Sequence, residues 1–580
     1  MTKFLCRLAT AIWLAAILSA VSGCSKKGPT DPTASRGWEL QSFGGDLGAV
    51  WGSSADDVFV VGHRGTILHY NGTSWEAMES GVERYLNTIW GSSSSEVFAL
   101  GFDGKMLRYD GTSWSVFGSG FGGELGGIWG TSATNLYVVG LSRINHYDGT
   151  NWTSVSGAFG HLNSAWGSSG SDVFAVGLAG VIWHFDGTAW TSMVSGTTAH
   201  LFSVWGSSSS DVFAVGGYYD SVGVILHYNG TEWSTMTAGA GVNLNSIWGS
   251  SSRDVFAVGK EGLIVHYDGT AWKAMSSGSS YNLYGVWGSS GHDVYAVGNN
   301  GTILHYNGTT WSTVKSGFDV SLRSVWGASE NSVVAVGSYG MLYYNGTNWR
   351  DLTGASYRSM SGVWGQLLWD LSIFAVGDVI LHFDGNAWST TSISDHTYLH
   401  DVWGSSLSDV FAVGDTGTIL HYDGGRWSAM SSSSTAELYG TWGSSEDDVF
   451  AVGAGGTILH FDGISWSAMA GGSNANLRDV WGNDGSNVFA VGENGTILHY
   501  NGIFWGEMAS GSNAELHAVW GSAADDVFAA GGNGIILRYQ GTNWSPMASS
   551  THVDLYGLWG TATGEVLAVG DYGTVLRYGH

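Results

Sequence analysis

A tryptophan–glycine pair recurs fourteen times along this chain of 580 residues, and its spacing constrains the fold more than any other feature. Neighbouring pairs are mostly 39 residues apart, with intervals of 37, 38 and 43 in three places. A fixed period near 40 residues indicates a repeat architecture, in which each copy is one small structural unit. The tryptophans of these pairs are Trp51, Trp90, Trp129, Trp166, Trp205, Trp248, Trp287, Trp326, Trp364, Trp403, Trp442, Trp481, Trp520 and Trp559.

One copy, residues 399–430, contains four short runs that are typical of β-strands. We predict strands over Leu399–Trp403, Asp409–Val413, Thr418–Tyr422 and Arg426–Met430. β-branched and aromatic residues fill these runs, and Gly, Ser and Asp separate them. No window has a helical period long enough to compete. The sequence therefore predicts an all-β chain.

These strands are apolar on both faces, because Ile419 and His421 alternate with Leu420 and Tyr422. A small sheet with two apolar faces must be covered on both sides, and neighbouring copies can do this when the sheets stack around an axis. Four strands in about 40 residues is typical of a β-propeller blade. The sequence thus predicts a β-propeller of fourteen four-stranded blades.

A second tryptophan series, in the fourth strands, supports this prediction. Each indole can bury roughly 150–250 Å², so a double series is best explained by packing between blades, with a sugar-stacking platform as the alternative. This series is Trp38, Trp75, Trp114, Trp152, Trp190, Trp233, Trp272, Trp311, Trp349, Trp388, Trp427, Trp466, Trp505 and Trp544.

The two ends of the chain predict how the blades close. Residues 38–40 match a fourth strand and residues 574–578 match a third strand, so the N-terminal strand can complete the last blade and remove an open edge. We expect two seven-bladed propellers, residues 38–308 and 309–580, with Trp311 in the first strand segment of the second. A single ring of fourteen is the alternative, because no linker separates the halves.

The N-terminus has the features of an export signal. Residues 1–23 begin with positive charge and continue with an apolar core that is shorter than the ~20 residues needed to span a bilayer. The run Val-Ser-Gly-Cys ending at Cys24 resembles the lipobox of bacterial lipoproteins, and an ordinary secretory signal is the alternative. The resemblance implies that Cys24 is acylated and that the protein is anchored in the cell outer membrane, facing the periplasm or the surface. Residues 24–37 would be a flexible tether.

Charge and cysteine content exclude some classes of function. The formal net charge is −27, so nucleic acid is a disfavoured partner because its phosphates would be repelled. Cys6 leaves with the signal and Cys24 would carry lipid, so the mature chain has no pair of cysteines for a disulfide. Stability must then come from packing.

Histidines and carboxylates recur at fixed places in the copies, which argues against a single catalytic centre. We expect the third-strand histidines to form hydrogen bonds between blades and the carboxylates before the second strand to cap turns, with a ring of calcium sites as a weak alternative. No nucleophile elbow, HExxH or P-loop is present, so we assign no catalytic residue, no metal and no cofactor. The histidines are His69, His146, His184, His227, His266, His305, His382, His421, His460 and His499, and the carboxylates are Asp57, Asp172, Asp211, Asp254, Asp293, Asp409, Asp448 and Asp526.

Comparison of the copies separates two kinds of loop. The first-to-second and third-to-fourth loops are nearly uniform, as turn chemistry requires, whereas the loops on the opposite side vary and are free to carry function. The fifth copy has an insertion there and the ninth departs most from the pattern; a tolerated insertion is the plain alternative. The candidate ligand-binding residues on these grounds are Tyr218, Tyr219, Asp220, Arg64, Tyr357, Arg358 and Trp369.

The run from Val413 to Trp427 resembles the repeats of Ycf48-like photosystem II assembly propellers and the Asp-box (BNR) repeats of sialidases. Both resemblances imply a propeller, and the first implies a scaffold for other proteins. The arginine triad of sialidases cannot be assigned here. We therefore expect a lipid-anchored, non-catalytic scaffold that binds an envelope protein or glycan. The alternatives are a propeller-fold glycoside hydrolase or lyase of sialidase type, and a purely structural envelope component.

Overall fold

The computed structural model describes residues 37–42, 45–118, 121, 124–155, 159–218, 222–237, 241–315, 321–338, 340–347, 349–351, 358–367, 371–393, 397–432, 434–549, 551–561 and 564–579. In these residues the chain forms fourteen antiparallel sheets of four strands each, as the repeat predicts. We number the sheets 1 to 14 in the order of their first strands. The predicted export signal, Cys24 and most of the predicted tether lie outside the described residues.

The first strands begin at or one residue before the residue that opens each copy, and in sheets 1–13 they extend beyond the Trp-Gly pair, further than the sequence predicts. They are Leu47–Ser54, Leu86–Ser93, Leu125–Ser132, Leu162–Ser169, His200–Ser208, Leu244–Ser251, Leu283–Ser290, Ser321–Ser329, Met360–Leu367, Leu399–Ser406, Leu438–Ser445, Leu477–Asp484, Leu516–Ala523 and Leu555–Gly560. The second strands are Asp57–Gly62, Glu96–Gly101, Asn135–Gly140, Asp172–Gly177, Asp211–Gly217, Asp254–Gly259, Asp293–Gly298, Ser332–Ser338, Leu371–Gly377, Asp409–Gly414, Asp448–Gly453, Asn487–Gly492, Asp526–Gly531 and Val566–Gly570.

The third strands are shorter. They are Ile67–Tyr70, Met106–Tyr109, Arg143–Tyr147, Ile182–Phe185, Gly223–Tyr228, Ile264–Tyr267, Ile303–Tyr306, Gly340–Tyr344, Val379–Phe383, Ile419–Tyr422, Ile458–Phe461, Ile497–Tyr500, Ile536–Tyr539 and Val575–Gly579. The fourth strands are Trp75–Met78, Trp114–Gly118, Trp152–Val155, Trp190–Met193, Trp233–Met236, Trp272–Met275, Trp311–Lys315, Trp349–Asp351, Trp388–Ser392, Trp427–Met430, Trp466–Ala468, Trp505–Met508, Trp544–Met547 and, for sheet 14, Gly37–Ser42.

Short 3₁₀ turns join the second and third strands of eight sheets. Their middle residue adopts the left-handed conformation, with φ of +54° at Thr416 and +57° at Glu261. A glycine follows at the next position, where it accepts positive φ without steric cost. These turns are His63–Gly65, Leu178–Gly180, Lys260–Gly262, Asp415–Gly417, Ala454–Gly456, Glu493–Gly495, Gly532–Gly534 and Asp571–Gly573.

The hydrophobic core lies between sheets, as two apolar faces per sheet require. One cluster, for example, joins Phe411 and Val413 of sheet 10 to Leu438, Val449 and Trp466 of sheet 11. Phe411 is 1% exposed and Val449 fully buried. Burying such side chains contributes about 1.5–3 kcal/mol each, so every sheet depends on its neighbours for stability.

The Trp-Gly pair is an element of this packing. The indole of Trp403 lies over Gly443 of the next sheet, so closely that a Cβ at Gly443 would stand 2.6 Å from the indole Cη2. Only glycine lets the aromatic ring approach the next strand this closely. The spacing of the pair therefore reflects one indole-on-glycine contact for each sheet.

These contacts run in two closed series. Trp287 of sheet 7 lies over Gly52 of sheet 1, and Trp559 of sheet 14 lies over Gly327 of sheet 8. The first strands agree, because those of sheets 1 and 7 pack together, as do those of sheets 8 and 14. Since first strands contact the first strands of both neighbours, they lie nearest the centre of each series. We call sheets 1–7 the first cycle and sheets 8–14 the second cycle.

The N-terminal strand completes the last sheet, as the sequence predicts, with Trp38 opposite Tyr578. The strand that contains Trp311 differs from expectation. It pairs with Ile303–Tyr306 and so completes sheet 7, rather than starting a later sheet. The first cycle thus closes without a shared sheet, because all four strands of sheet 1 are consecutive in the chain; the turn of sheet 7 instead donates from Gly301 N–H to the Gly45 carbonyl at 2.9 Å.

The expectation that the third-strand histidines join different blades is wrong. His69 Nε2 lies 2.7 Å from Oδ1 of Asp57 in its own sheet, and its ring stacks on Phe59 with centroids 4.2 Å apart. The reason is register: His69 is directly opposite Phe59, and Asp57 lies two residues before Phe59 on the same face. The second oxygen of Asp57 accepts a hydrogen bond from the Ser53 hydroxyl at 2.5 Å, so the carboxylate ties its sheet together rather than only capping a turn.

Candidate functional site

A β-bulge at the start of every first strand exposes one residue per sheet. In sheet 10, Leu399 pairs with Gly414 and Asp401 with Val413, which leaves His400 without a partner in the register. A bulge of this kind redirects the side chain of the extra residue, and bulges are common next to functional sites. Because first strands are central, the bulge residues surround the centre of each cycle.

The two cycles carry different chemistry at this position. In the first cycle the bulge residues are Gly48, Asn87, Gly126, Asn163, Phe202, Asn245 and Tyr284. The three asparagines each donate to a backbone carbonyl of the next sheet at 2.8 Å and so support the fold. In the second cycle the bulge residues, which we call the rim, are Arg323, Ser361, His400, Tyr439, Arg478, His517 and Tyr556.

Rim side chains touch one another around the second cycle. The Tyr398 hydroxyl lies 3.0 Å from that of Ser361, and its ring lies 5.4 Å from the His400 ring. His400 meets Tyr439 edge to face at 5.3 Å, and the Arg478 guanidinium lies over Tyr439 at 4.8 Å. This half of the rim is therefore a continuous polar and aromatic surface.

The other half of the rim is held together by charge. Arg478 donates to Glu515 at 2.7 Å, and His517 Nδ1 lies 3.9 Å from the same carboxylate. The His517 ring is 4.9 Å from Tyr556, and the Arg323 guanidinium lies 4.0 Å from the centre of the Tyr556 ring. Two arginines, a histidine and a tyrosine thus meet within four neighbouring sheets, 12, 13, 14 and 8.

Carboxylates from the surrounding loops face this cluster. Asp554 Oδ1 accepts the backbone N–H of Asn533 at 2.8 Å and lies 3.7 Å from Arg64, a residue of the first cycle. Asp571 accepts a hydrogen bond from the Tyr556 hydroxyl at 3.2 Å. The junction of the two cycles at sheets 1 and 14 therefore lies beside the rim.

Burial shifts the pKa values of two groups in the cluster. Desolvation lowers the pKa of His517, against the opposing pull of Glu515 and Asp554, so neutral imidazole is favoured. Burial, and then the nearby charge of Asp571, raises the pKa of Tyr556 to about 12, so the phenol stays protonated and can donate. The cluster can thus offer a neutral imidazole to a ligand near neutral pH, while the phenol of Tyr556 donates its hydrogen bond to Asp571.

Two aspartates lie directly after rim residues. Asp401 and Asp479 each accept a backbone N–H of the next sheet at 2.8 Å, from Thr441 and Val519 respectively. Both side chains keep a little solvent-accessible surface, but surrounding protein atoms desolvate them. Desolvation raises the pKa of Asp479 to about 7, and desolvation followed by the charge of Asp479 raises that of Asp401.

The candidate residues from the sequence do not form one site. Tyr218 is 43% exposed and borders a shallow groove in sheets 4 and 5, with its hydroxyl 3.4 Å from Thr198. Arg358, in the loop before sheet 9, pairs with Asp378 at 3.5 Å, and both side chains are well exposed. Arg64 alone reaches the rim region. Tyr219, Asp220, Tyr357, Trp369 and Cys24 lie outside the described residues.

Sequence reasoning missed the rim, although a signal was present. The signal is the residue that follows the opening residue of each copy. It is uncharged in the first seven copies, whereas four of the last seven copies have arginine or histidine there. Elsewhere, no group of three or more His, Cys, Asp or Glu in the described ranges is placed to hold a metal ion. In the same ranges, no helix has the length and apolar character needed to cross a membrane.

Comparison with solved structures finds β-propellers similar to this chain. No protein-family model matches the chain, and no curated protein sequence matches it significantly. The crystal structure of a GH74 enzyme from Niastella koreensis superimposes with a TM-score of 0.68 at 13% identity, covering 94% of this chain and 99% of that chain. At this identity the likeness shows the fold, a β-propeller.

A second structure, YCF48 bound to D1 peptide, has a TM-score of 0.39 at 16% identity and covers 45% of this chain and 92% of that chain. A likeness this low carries no argument. The expectation of a non-catalytic scaffold, and of no enzymatic activity, is contradicted by the comparison with the GH74 enzyme. The match over nearly the whole chain is to an enzyme, with which this chain shares its fold.

Proposed function

We propose that this chain is a glycoside hydrolase whose polysaccharide substrate lies across the rim beside the junction of the two cycles. The observation that carries the proposal is the cluster of Glu515, Asp554, His517, Arg478 and Tyr556, where carboxylates, a neutral imidazole and an aromatic face meet. The similar GH74 enzyme, a glycoside hydrolase, supports it at the level of fold.

The proposal takes each cycle as a separate seven-bladed propeller, with the loop sides of the two in contact at sheets 1 and 14. Arg64 of sheet 1 lies 3.5 Å from the backbone oxygen of His552, and His63 packs on Tyr572 with ring centroids 4.6 Å apart. A substrate at this junction would touch both propellers. Such a position suits an extended polymer better than a small molecule.

Hydrolysis of a glycosidic bond needs two carboxyl groups. One carboxyl group gives its proton to the glycosidic oxygen as the bond to the anomeric carbon breaks. The other carboxylate either takes a proton from the attacking water or attacks the anomeric carbon itself, and water later releases the sugar. We assign these tasks to Glu515, 3.9 Å from His517 Nδ1, and to Asp554, whose charge also acts on His517. Tyr439 and Tyr556 offer faces on which sugar rings can pack.

The experiment measures reducing ends released from a panel of polysaccharides that includes β-glucans, xylans, mannans and pectins. We expect wild type to act on at least one, and Glu515→Gln and Asp554→Asn each to lower kcat at least a hundredfold. Glu124→Gln is the matched control, because Glu124 is exposed and precedes the first strand of sheet 3 just as Glu515 does in sheet 13. Turnover that survives both substitutions would refute the assignment, and no turnover on any polysaccharide would refute the function.

A further inference from the structure

We propose that Arg323 binds an anionic group, a carboxylate or a sulfate ester, on the sugar chain, so that the substrate is an acidic polysaccharide. The inference rests on the proposed function for where the sugar lies. The property inferred is selection of the substrate by its charge, which the hydrolytic chemistry does not require.

Most basic groups at the rim already have an acidic partner. Arg478 pairs with Glu493 at 3.0 Å and with Glu515 at 2.7 Å. His400 lies 2.9 Å from Asp415. Arg323 differs, because no carboxylate in the described part of the chain lies within 4.0 Å of its guanidinium, which lies instead over the ring of Tyr556.

The carboxylates near Arg323 are engaged by other donors. One oxygen of Asp571 accepts from the Ser321 hydroxyl and the other from the Tyr556 hydroxyl. Asp554 accepts the Asn533 backbone N–H and faces Arg64. The two carboxylates whose charge acts on Tyr556, the ring beneath Arg323, are therefore already hydrogen-bonded to other donors.

The placement of the guanidinium leaves its donors available. Stacking on Tyr556 at 4.0 Å uses the flat face of the group, whereas its five N–H donors point outward in the plane. The side chain is half-buried, so it is less hydrated than a surface arginine. A planar fork of this kind matches a carboxylate or sulfate with two parallel hydrogen bonds.

Long-range charge does not supply this selectivity. The chain carries a formal net charge of −27, which repels anions at a distance, although salt screens that repulsion beyond about 8 Å. An acidic glycan would therefore depend on one short-range cation. The first cycle has glycine, asparagine, phenylalanine or tyrosine at the equivalent position and offers no such group.

The test measures the binding of oligosaccharides by calorimetry. It uses Glu515→Gln protein, because this substitution prevents turnover of the probe. The probes are an oligogalacturonate, a sulfated carrageenan oligosaccharide and a neutral cello-oligosaccharide of equal length. We expect at least one acidic probe to bind 10-fold or more tightly than the neutral one, since a charge-assisted pair of hydrogen bonds is typically worth that factor or more. Adding Arg323→Gln should abolish the preference of acidic over neutral probe, whereas Arg253→Gln, at an exposed arginine in sheet 6, is the matched control and should keep it. Which acidic probe binds distinguishes carboxylate from sulfate.

Equal binding of acidic and neutral probes, a preference that survives Arg323→Gln, or no binding of any probe would overturn the inference. Melting temperatures confirm that each variant is folded, and Arg323→Lys, which keeps the charge but loses the fork, should retain part of the preference. Acid-selective binding without hydrolysis of any polysaccharide would refute the hydrolase and leave Arg323 as an anion site. Hydrolysis of neutral polysaccharides alone, unaffected by Arg323→Gln, would refute this inference and leave the hydrolase.

Discussion

Asp479 occupies a position at which several other sheets carry serine, and that comparison predicts how its charge affects stability. The hydroxyl of Ser324 accepts the backbone N–H of Val363 in the next sheet at 3.3 Å, and Ser203 does the same for Ile247 at 3.3 Å. Asp479 makes the equivalent bond to Val519 with a carboxylate oxygen. Asp479→Ser should therefore keep the bond between sheets and remove only the ionisable group.

The size of the effect follows from the pKa. Desolvation raises the pKa of Asp479 from 3.8 to about 7 in the folded protein. Between about pH 4 and 7 the folded state holds a proton that the unfolded state has released, so wild-type stability falls as pH rises through this window. Three pKa units correspond to about 4 kcal/mol in the free energy of unfolding. Wild type loses this full amount above pH 7 and loses none of it below pH 4. Serine does not titrate, so the variant escapes this loss.

The assay is the melting temperature of wild type and Asp479→Ser at pH 5 and pH 8. At about 2–4 °C per kcal/mol, the variant should gain about 10 °C relative to wild type at pH 8 and much less at pH 5. The matched reverse substitution, Ser324→Asp, should create the opposite pH dependence in sheet 8. A difference between variant and wild type that is the same at both pH values would refute the reasoning, because it would mean that Asp479 ionises as easily when folded as when unfolded.

Two further predictions concern packing and the membrane anchor. Gly443→Ala puts a Cβ 2.6 Å from the Trp403 indole and should lower the free energy of unfolding by about 1–3 kcal/mol. The control, Gly241→Ala, has open space around it and should lower it by under about 1 kcal/mol. Equal losses in chemical denaturation would exclude the indole-on-glycine contact as the cause. Cys24→Ser should abolish incorporation of labelled palmitate and release the protein from the membrane fraction. Cys6→Ser should leave palmitate incorporation and membrane association unchanged. Labelling that persists in Cys24→Ser would disprove the lipobox interpretation.

The sequence predicts most of the fold because its strongest signals are local. Alternation of apolar residues sets each strand, glycine and aspartate set each turn, and the repeat of the Trp-Gly pair sets the sheet count. The match between residues 38–40 and a fourth strand also predicts how the last sheet is completed. Each of these features can be read within one copy or by aligning one copy with another.

Other features depend on contacts between residues that are far apart in the chain. The partner of His69 is decided by strand register, which places Asp57 on the same face, and not by the repetition of histidine in the sequence. The closure of sheets 1–7 and 8–14 depends on which indole covers which glycine, and the pattern of Trp-Gly pairs is the same for one ring as for two.

The candidate site shows the same limit most clearly. Its residues are about 39 positions apart in sequence and come together only because a bulge in each first strand turns one side chain toward a common centre. Arg64 reaches the same region across 488 residues of chain to His552. The sequence by itself determined the strands, the turns and the number of sheets, because these follow from local patterns. Only the tertiary structure decided which charged side chains of the rim are paired, and that the guanidinium of Arg323 lies over a ring there without a carboxylate within 4.0 Å in the described part of the chain.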